Sequence, residues 1–276
     1  MLKIGLCVSP TKLESAPLLY QGDILKGLES ASKHGYDGVE LSLLDSQKID
    51  QGWLIEKLRE LNLEAFAIAT AQTYSTDGYS LYSMHEEKRQ QAIKRIEAHI
   101  DFASRLNAMV IIGGIRGKLT GPTEDWNTQR EKGRQALVSC VRSAEKKGVT
   151  LLLEPINRHE TNLVNTVEQA LELVEEMGSK SLRLLLDTFH LNIEESSIVG
   201  SFPVAGSYLE YVHFADNNRL APGWGHIDFA QVLSRLKEIG YQGPISVEVL
   251  PEPDDDRASE QAIQHIRSLF HTEVKA

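Results

Sequence analysis

The chain has 276 residues, 41% of them hydrophobic and 25% charged, an ordinary composition for a folded domain and a length that suits one (β/α)8 barrel of about 250 residues. Its formal net charge of −10 excludes a partner recognised through clustered Lys and Arg, so neither nucleic acid nor an anionic membrane surface is expected to bind it. No apolar run approaches a membrane span, and Cys7 and Cys140 lack metal or disulfide spacing. They read as small buried hydrophobes in a reduced, cytoplasmic setting.

Residues 4–8 predict a first strand rather than a signal peptide, and residues 23–34 a helix closed by Gly35. A second strand is expected over 39–42, a helix over 53–61 and a third strand over 64–69. The segment 70–84 reads as a long loop carrying Gln72, Tyr74, Tyr79 and Tyr82; loops of that length in a compact domain are usually functional or mobile. In 86–106, Ile93, Ile96, Ile100 and Ala103 recur at helical spacing. A fourth strand over 109–112 runs into Gly113-Gly-Ile-Arg-Gly117, and a helix follows over 128–147. Residues 151–153 make a fifth strand. Val167, Ala170, Leu171 and Val174 give the next apolar stripe, with Gly178 as its stop. Strands over 182–186, 211–214 and 245–249 complete the set. Helical segments are expected over 198–204, after Asp228 as N-cap, and over 259–270.

Eight strands alternating with eight helices, with no break in composition, predict a single domain over 1–276. Parallel strands joined by right-handed crossovers then close most naturally into an α/β (β/α)8 TIM barrel. An open doubly wound sheet is disfavoured because Gly-rich phosphate turns are missing after the early strands.

In such a barrel the active site lies at the C-terminal ends of the strands. Strands five to eight end on Glu154, Asp187, His213 and Glu248 in turn. Singly, each has a bland reading: helix caps for Glu154 and Asp187, a hydrogen-bonded core histidine, a surface acid before Pro251. Together on four successive strands they read as a cation site, because three converging carboxylates repel unless a divalent metal sits among them. Oxygen-rich ligation with one imidazole favours Mn2+, ahead of Mg2+ or Co2+, whereas Zn2+ prefers more His or Cys. A sugar with adjacent carbonyl and hydroxyl oxygens could chelate that metal. Proton transfer at the carbon α to the ketone, through a metal-bound enediolate, would follow, with Glu154 and Glu248 as the acid/base pair on opposite faces. His190 and Arg219 stand ready to bind sugar oxygens, although Arg219 could instead pair with Asp216. Trp224, in a Gly-rich loop, reads equally as lid or packing residue.

The stretches Glu154-Pro-Ile-Asn-Arg-His-Glu160, Asp187-Thr-Phe-His-Leu-Asn-Ile-Glu-Glu195 and His213-Phe-Ala-Asp-Asn-Asn-Arg219 resemble the xylose-isomerase-like TIM-barrel superfamily, and within it the ketose 3-epimerases. The resemblance spans the chain. It implies a metal-dependent carbohydrate epimerase with Glu154, Asp187, His213 and Glu248 as ligands and Glu160, His190 and Arg219 as substrate contacts. A narrower likeness, carried by Ala71-Gln-Thr-Tyr74, Arg116-Gly117 and Asn218-Arg-Leu-Ala-Pro-Gly223, is to the 5-keto-L-gluconate epimerases, which interconvert that acid with D-tagaturonate. It adds Gln72 and Arg116 to the expected substrate contacts, Arg116 as the partner of a substrate carboxylate or else a surface loop residue. The expected partner is thus a small sugar or sugar acid, and a homo-oligomer is compatible with the sequence. The rival functions are a hydroxypyruvate isomerase or inosose dehydratase, which use the same enediolate chemistry, and a non-catalytic sugar-binding barrel. An endonuclease IV-type repair nuclease shares the barrel but needs many His ligands and a basic surface.

Overall fold

The computed structural model describes residues 2–13 and 16–272, and in it eight parallel strands pair in sequence order into a closed barrel. The strands are β1 (Ile4–Val8), β2 (Gly38–Ser42), β3 (Glu64–Ala69), β4 (Met109–Ile112), β5 (Leu151–Leu153), β6 (Leu182–Asp187), β7 (Leu209–Phe214) and β8 (Ile245–Val247). Closure comes from β8 pairing back onto β1, with Ile4 opposite Ile245 and Leu6 opposite Val247. The expected TIM barrel is therefore the observed one.

Around it lie α1 (Ile24–His34), α2 (Gln51–Glu60), α3 (Ala71–Asp77), α4 (Glu86–Leu106), α5 (Trp126–Lys147), α6 (Val167–Met177), α7 (Thr188–Glu194), α8 (Ile198–Ala205), α9 (Phe229–Glu238) and α10 (Asp255–Thr272). The starts of these helices are written in the sequence. Asp23, Asp50 and Asp228 each accept a backbone N–H of the first turn, and Thr166 with Gln169 forms a capping box. Among the described residues no helix is long and apolar enough to cross a membrane.

Two helices depart from the simple alternation. The segment expected to be a long loop contains α3, and α7 starts directly on the last residue of β6. Both are one to two turns long and sit at the C-terminal ends of strands, so they are part of the bowl rather than of the outer layer. The last strand also ends at Val247, two residues earlier than expected, which leaves Glu248 just beyond it.

Strand alternation sorts the barrel into two cores. Val39 and Leu41 of β2, Val110 and Ile112 of β4, and Leu184 and Leu186 of β6 join the large core under the helices. Phe66, Ile111, Leu152, Leu185 and Tyr211 form a separate cluster that fills the barrel interior. Phe66 is accommodated because its neighbours are glycines: a Cβ at Gly5 or at Gly38 would lie 2.7 Å from its ring. The interior is thus plugged, and the polar side chains of the strand ends form the next layer above the plug.

Candidate active site

Glu154, Asp187, His213 and Glu248 meet in that layer. His213 Nδ1 lies 3.8 Å from Glu154 Oε1, 4.0 Å from Asp187 Oδ2 and 3.6 Å from Glu248 Oε2. Glu154, Asp187 and His213 are buried, and the Glu248 side chain is 17% exposed. Asp187 serves twice: Oδ1 caps α7 by accepting the Phe189 N–H at 2.8 Å, which leaves Oδ2 turned to the cluster. Arg219 does not pair with Asp216. Its guanidinium bridges Asp187 Oδ2, at 2.5 Å, and Glu248 Oε2, and its flat face lies 4.6 Å from the centre of the Phe189 ring. His190 completes the ring of polar groups, with Nε2 3.8 Å from both Glu154 Oε1 and Asp187 Oδ2.

The two glutamates are pushed in opposite directions. Burial raises the Glu154 carboxyl, and the charges of Glu248 and Asp187 add to the rise against the pull of His213. Burial acts upward on Glu248 too, but Arg219 and His213 overcome it and hold that carboxyl below its ordinary range. Burial alone would lower His213; Glu40 and Glu248 reverse this and raise it well above a free imidazole. Such separation of neighbouring carboxylates is the usual mark of a site that moves protons.

The donor set suits a divalent cation. Asp187, His213 and Glu248 each offer a ligand atom within 4.8 Å of the others, and so do Glu154, Asp187 and His190. His213 Nδ1 is buried without a hydrogen-bond partner while three carboxylate oxygens surround it at 3.6–4.0 Å. An orphaned imidazole nitrogen facing carboxylates is costly by itself and is satisfied by a shared cation.

The other expected residues fall in different places. Gln72 is buried on α3 and its Nε2 donates to Ser9 Oγ, Ser42 Oγ and the Ser42 carbonyl at 2.8–2.9 Å, so it ties α3 to the ends of β1 and β2. Arg116 is no surface loop residue: it is 1% exposed, donates to the carbonyls of Gly113 and Glu154, and leaves Nη1 without a partner. It lines a cavity of about 170 Å³ with Tyr74, Gly114, Ile156 and Glu160. Trp224 is half-buried and packs on the core, in keeping with the packing reading. Both cysteines are buried, as expected.

Three residues at the site were not anticipated. Glu40, wholly buried in β2, lies 2.7 Å from His213 Nε2. Asn157 joins Glu160 to His190, donating to both from Nδ2 at 2.8 Å. Asp216 gathers the loop after β7 by accepting the backbone N–H groups of Asn217, Gly223, Gly225 and Ile227 at 2.8–3.0 Å. That loop sets Arg219 at φ 63°, a left-handed conformation that a non-glycine residue adopts at a cost of roughly 1–2 kcal/mol. A charged residue in the middle of an apolar strand was the available signal for Glu40, since a buried acid needs a partner.

Comparison with known proteins shows the family and the fold. A family model described as xylose isomerase-like TIM barrel matches residues 28–269. The L-ribulose 3-epimerase of Methylomonas sp. (strain DH-1) is 32% identical over 272 residues, covering 95% of this chain and 93% of that one. The 3-dehydro-D-guloside 4-epimerase of Escherichia coli (strain K12) is 26% identical over 235 residues, 82% of this chain and 87% of the other. Among solved structures, the D-allulose 3-epimerase from Methylomonas sp. in complex with D-allulose superposes with a TM-score of 0.81 at 26% identity, covering 97% of this chain and 98% of that one.

Proposed function

The chain belongs to the xylose isomerase-like TIM-barrel family, and from that membership we infer that it is a sugar epimerase, an isomerase that inverts a carbon next to a ketone. The observation that carries this reading is the facing of Glu154 and Glu248 across His213 Nδ1, with Arg219 spanning Asp187 and Glu248. Inversion needs a base on one face of the reacting carbon and an acid on the other. Glu154, just past β5, and Glu248, just past β8, reach His213 Nδ1 from different strand ends, at 3.8 and 3.6 Å, and suit those two parts.

Removal of that proton makes an enediolate. Arg219 is the fixed cation nearest the pair, and a guanidinium already oriented by two carboxylates stabilises the developing oxygen charge without reorganising. His190 faces the same space and can donate to a second sugar oxygen. Glu160, half-exposed at the rim, is a further substrate contact, whereas Gln72, on α3, is tied to Ser9 and Ser42 and holds the wall of the bowl. Glu154, Asp187, His213 and Glu248 would hold one divalent ion, which we take to be Mn2+. It supplies Lewis-acid polarisation of the carbonyl and neutralises the clustered carboxylates.

The sugar itself we propose to be a keto sugar acid of the 5-keto-L-gluconate/D-tagaturonate kind. Support comes from Arg116, a buried guanidinium with carbonyl partners, an unpartnered Nη1 and a cavity against it. A buried cation so placed favours an anionic group on the ligand. The test is a screen of neutral ketoses and keto sugar acids in deuterated water with Mn2+. Label should enter at the carbon next to the ketone, fastest with the acids, and Glu248→Gln should abolish it. Exchange that persists in Glu248→Gln would mean the acid/base pair is misassigned, and no exchange with any sugar would return the non-catalytic barrel.

A further inference from the structure

Two buried imidazoles border the same carboxylates, and distance does not say which of them ligates. His190 with Glu154 and Asp187 forms as compact a donor group as His213 with Asp187 and Glu248. The far nitrogen of each ring decides it.

For His213 that nitrogen is Nε2, 2.7 Å from Glu40 Oε2. Glu40 occupies an interior position of β2 and is 0% exposed. A carboxylate only accepts, so Nε2 carries a hydrogen; a cation bound among Glu154, Asp187 and Glu248 displaces any second proton from the ring, and the Nδ1 lone pair then points at it. For His190 the far nitrogen is Nδ1, 2.8 Å from Asn157 Nδ2. The orientation of the Asn157 amide is not free. Its Oδ1 accepts the backbone N–H of His159 at 3.0 Å, a group that can only donate, while Nδ2 also donates to Glu160 Oε1 at 2.8 Å. The Nδ1 of His190 therefore accepts, and its hydrogen sits on Nε2, the atom that faces Glu154 and Asp187. A nitrogen bearing a hydrogen cannot bind a metal.

We propose that Glu40 and Asn157 are positioning residues that lock His213 and His190 in the same Nε2–H tautomer and so give them opposite tasks. His213 presents a lone pair to the cation, and His190 presents an N–H to a substrate oxygen. The inference rests on the reading of the site as one that holds a cation and a sugar. It deepens that reading by naming what keeps the two rings from exchanging roles. Outer partners of this kind tune metal affinity by about 10–100-fold.

The test uses 15N-histidine-labelled protein loaded with diamagnetic Mg2+, with two-bond 1H–15N correlation to read each ring; His190→Asn and His213→Asn assign the signals. Both rings should show hydrogen on Nε2. Glu40→Leu should release His213 alone and Asn157→Leu His190 alone. By Mn2+ titration followed by electron paramagnetic resonance, Glu40→Leu should weaken binding about 10–100-fold, and Asn157→Leu should leave it within about threefold. Glu40→Gln, which keeps an acceptor but not the charge, should retain the tautomer with an intermediate loss, and it stands in should the leucine variant fail to fold. Hydrogen on Nδ1 of either ring in the Mg2+-loaded protein overturns the proposal. So does Mn2+ binding unchanged in both Glu40 variants. If the unmodified protein binds no Mn2+, the cation reading itself fails and takes this inference with it.

Discussion

Alanine at Gly113 probes how tightly Glu154 is held. Gly113 follows β4, and a Cβ built on it overlaps Glu154 Oε2 while lying 3.5 Å from both Glu154 Cδ and Ile156 Cδ1. Backing away is blocked by Ile156, so the Glu154 carboxylate has to swing aside by on the order of 1 Å. A misplacement of that size costs about 10²-fold in rate, or roughly 2.7 kcal/mol. The same swing moves Oε1, the oxygen that faces His213 and His190, out of its present position, so Mn2+ affinity should fall by about tenfold or more. Solvent deuterium incorporation, measured at saturating Mn2+, separates the rate effect from the affinity effect, and circular dichroism with thermal melting checks the fold. Gly113→Ala protein that exchanges deuterium within about threefold of the unmodified enzyme would refute the reasoning, because it leaves the added methyl no other place to go.

Arg116→Gln should lower kcat/KM for a keto sugar acid relative to a neutral ketose by roughly 10–150-fold, the equivalent of one charge-assisted hydrogen bond of about 1.5–3 kcal/mol; an unchanged ratio ends the keto-acid reading. His99, buried in α4 with neither ring nitrogen hydrogen-bonded, is lowered from 6.5 to about 3 by burial, with Arg95 adding to the fall. The unfolded chain thus binds the proton first as the pH drops, and stability is lost from about pH 6.5 downward. By urea unfolding, His99→Phe should reduce the loss between pH 6.5 and pH 5 by about 2 kcal/mol, and identical pH slopes in the two proteins would show that His99 is not the group responsible.

The parts of this molecule that could be read from the sequence share a physical feature: their meaning is local. Asp228 is a cap whatever the tertiary structure, and an acid or imidazole at the last position of an apolar run lands on the bowl once the barrel is assumed. Helix α3 was missed because Ala71-Gln-Thr-Tyr-Ser-Thr-Asp77 has no apolar stripe, its stability coming from Gln72 gripping Ser9 and Ser42 across the chain. Arg219 was placed near the chemistry, but its partners, Asp187 and Glu248, lie 32 and 29 residues away, whereas Asp216 was the neighbour in sequence. Glu40 lies 173 residues from His213, and only closure of the barrel makes the two adjacent. The contacts that fix proton positions are of this long-range kind.

The charge of the site explains why these contacts must be so specific. Four carboxylates, Glu40, Glu154, Asp187 and Glu248, are gathered above an apolar plug, and Arg219 is the fixed cation bonded within the cluster. Phe66, Ile111, Leu152, Leu185 and Tyr211 keep water from approaching from below, so the surplus negative charge has relief only from the bowl side. Any cation entering there meets oriented negative charge rather than solvent. Partial relief comes from within: Glu40 is spent on His213, and one oxygen of Asp187 on the start of α7. The negative charge left facing the bowl then resides on Glu154, Asp187 Oδ2 and Glu248, and Arg219 already leans on the last two. Burial raises the proton affinity of both glutamates; Arg219 and His213 overturn that rise at Glu248, whereas Glu154, with no direct bond to Arg219 and with Glu248 and Asp187 beside it, keeps it.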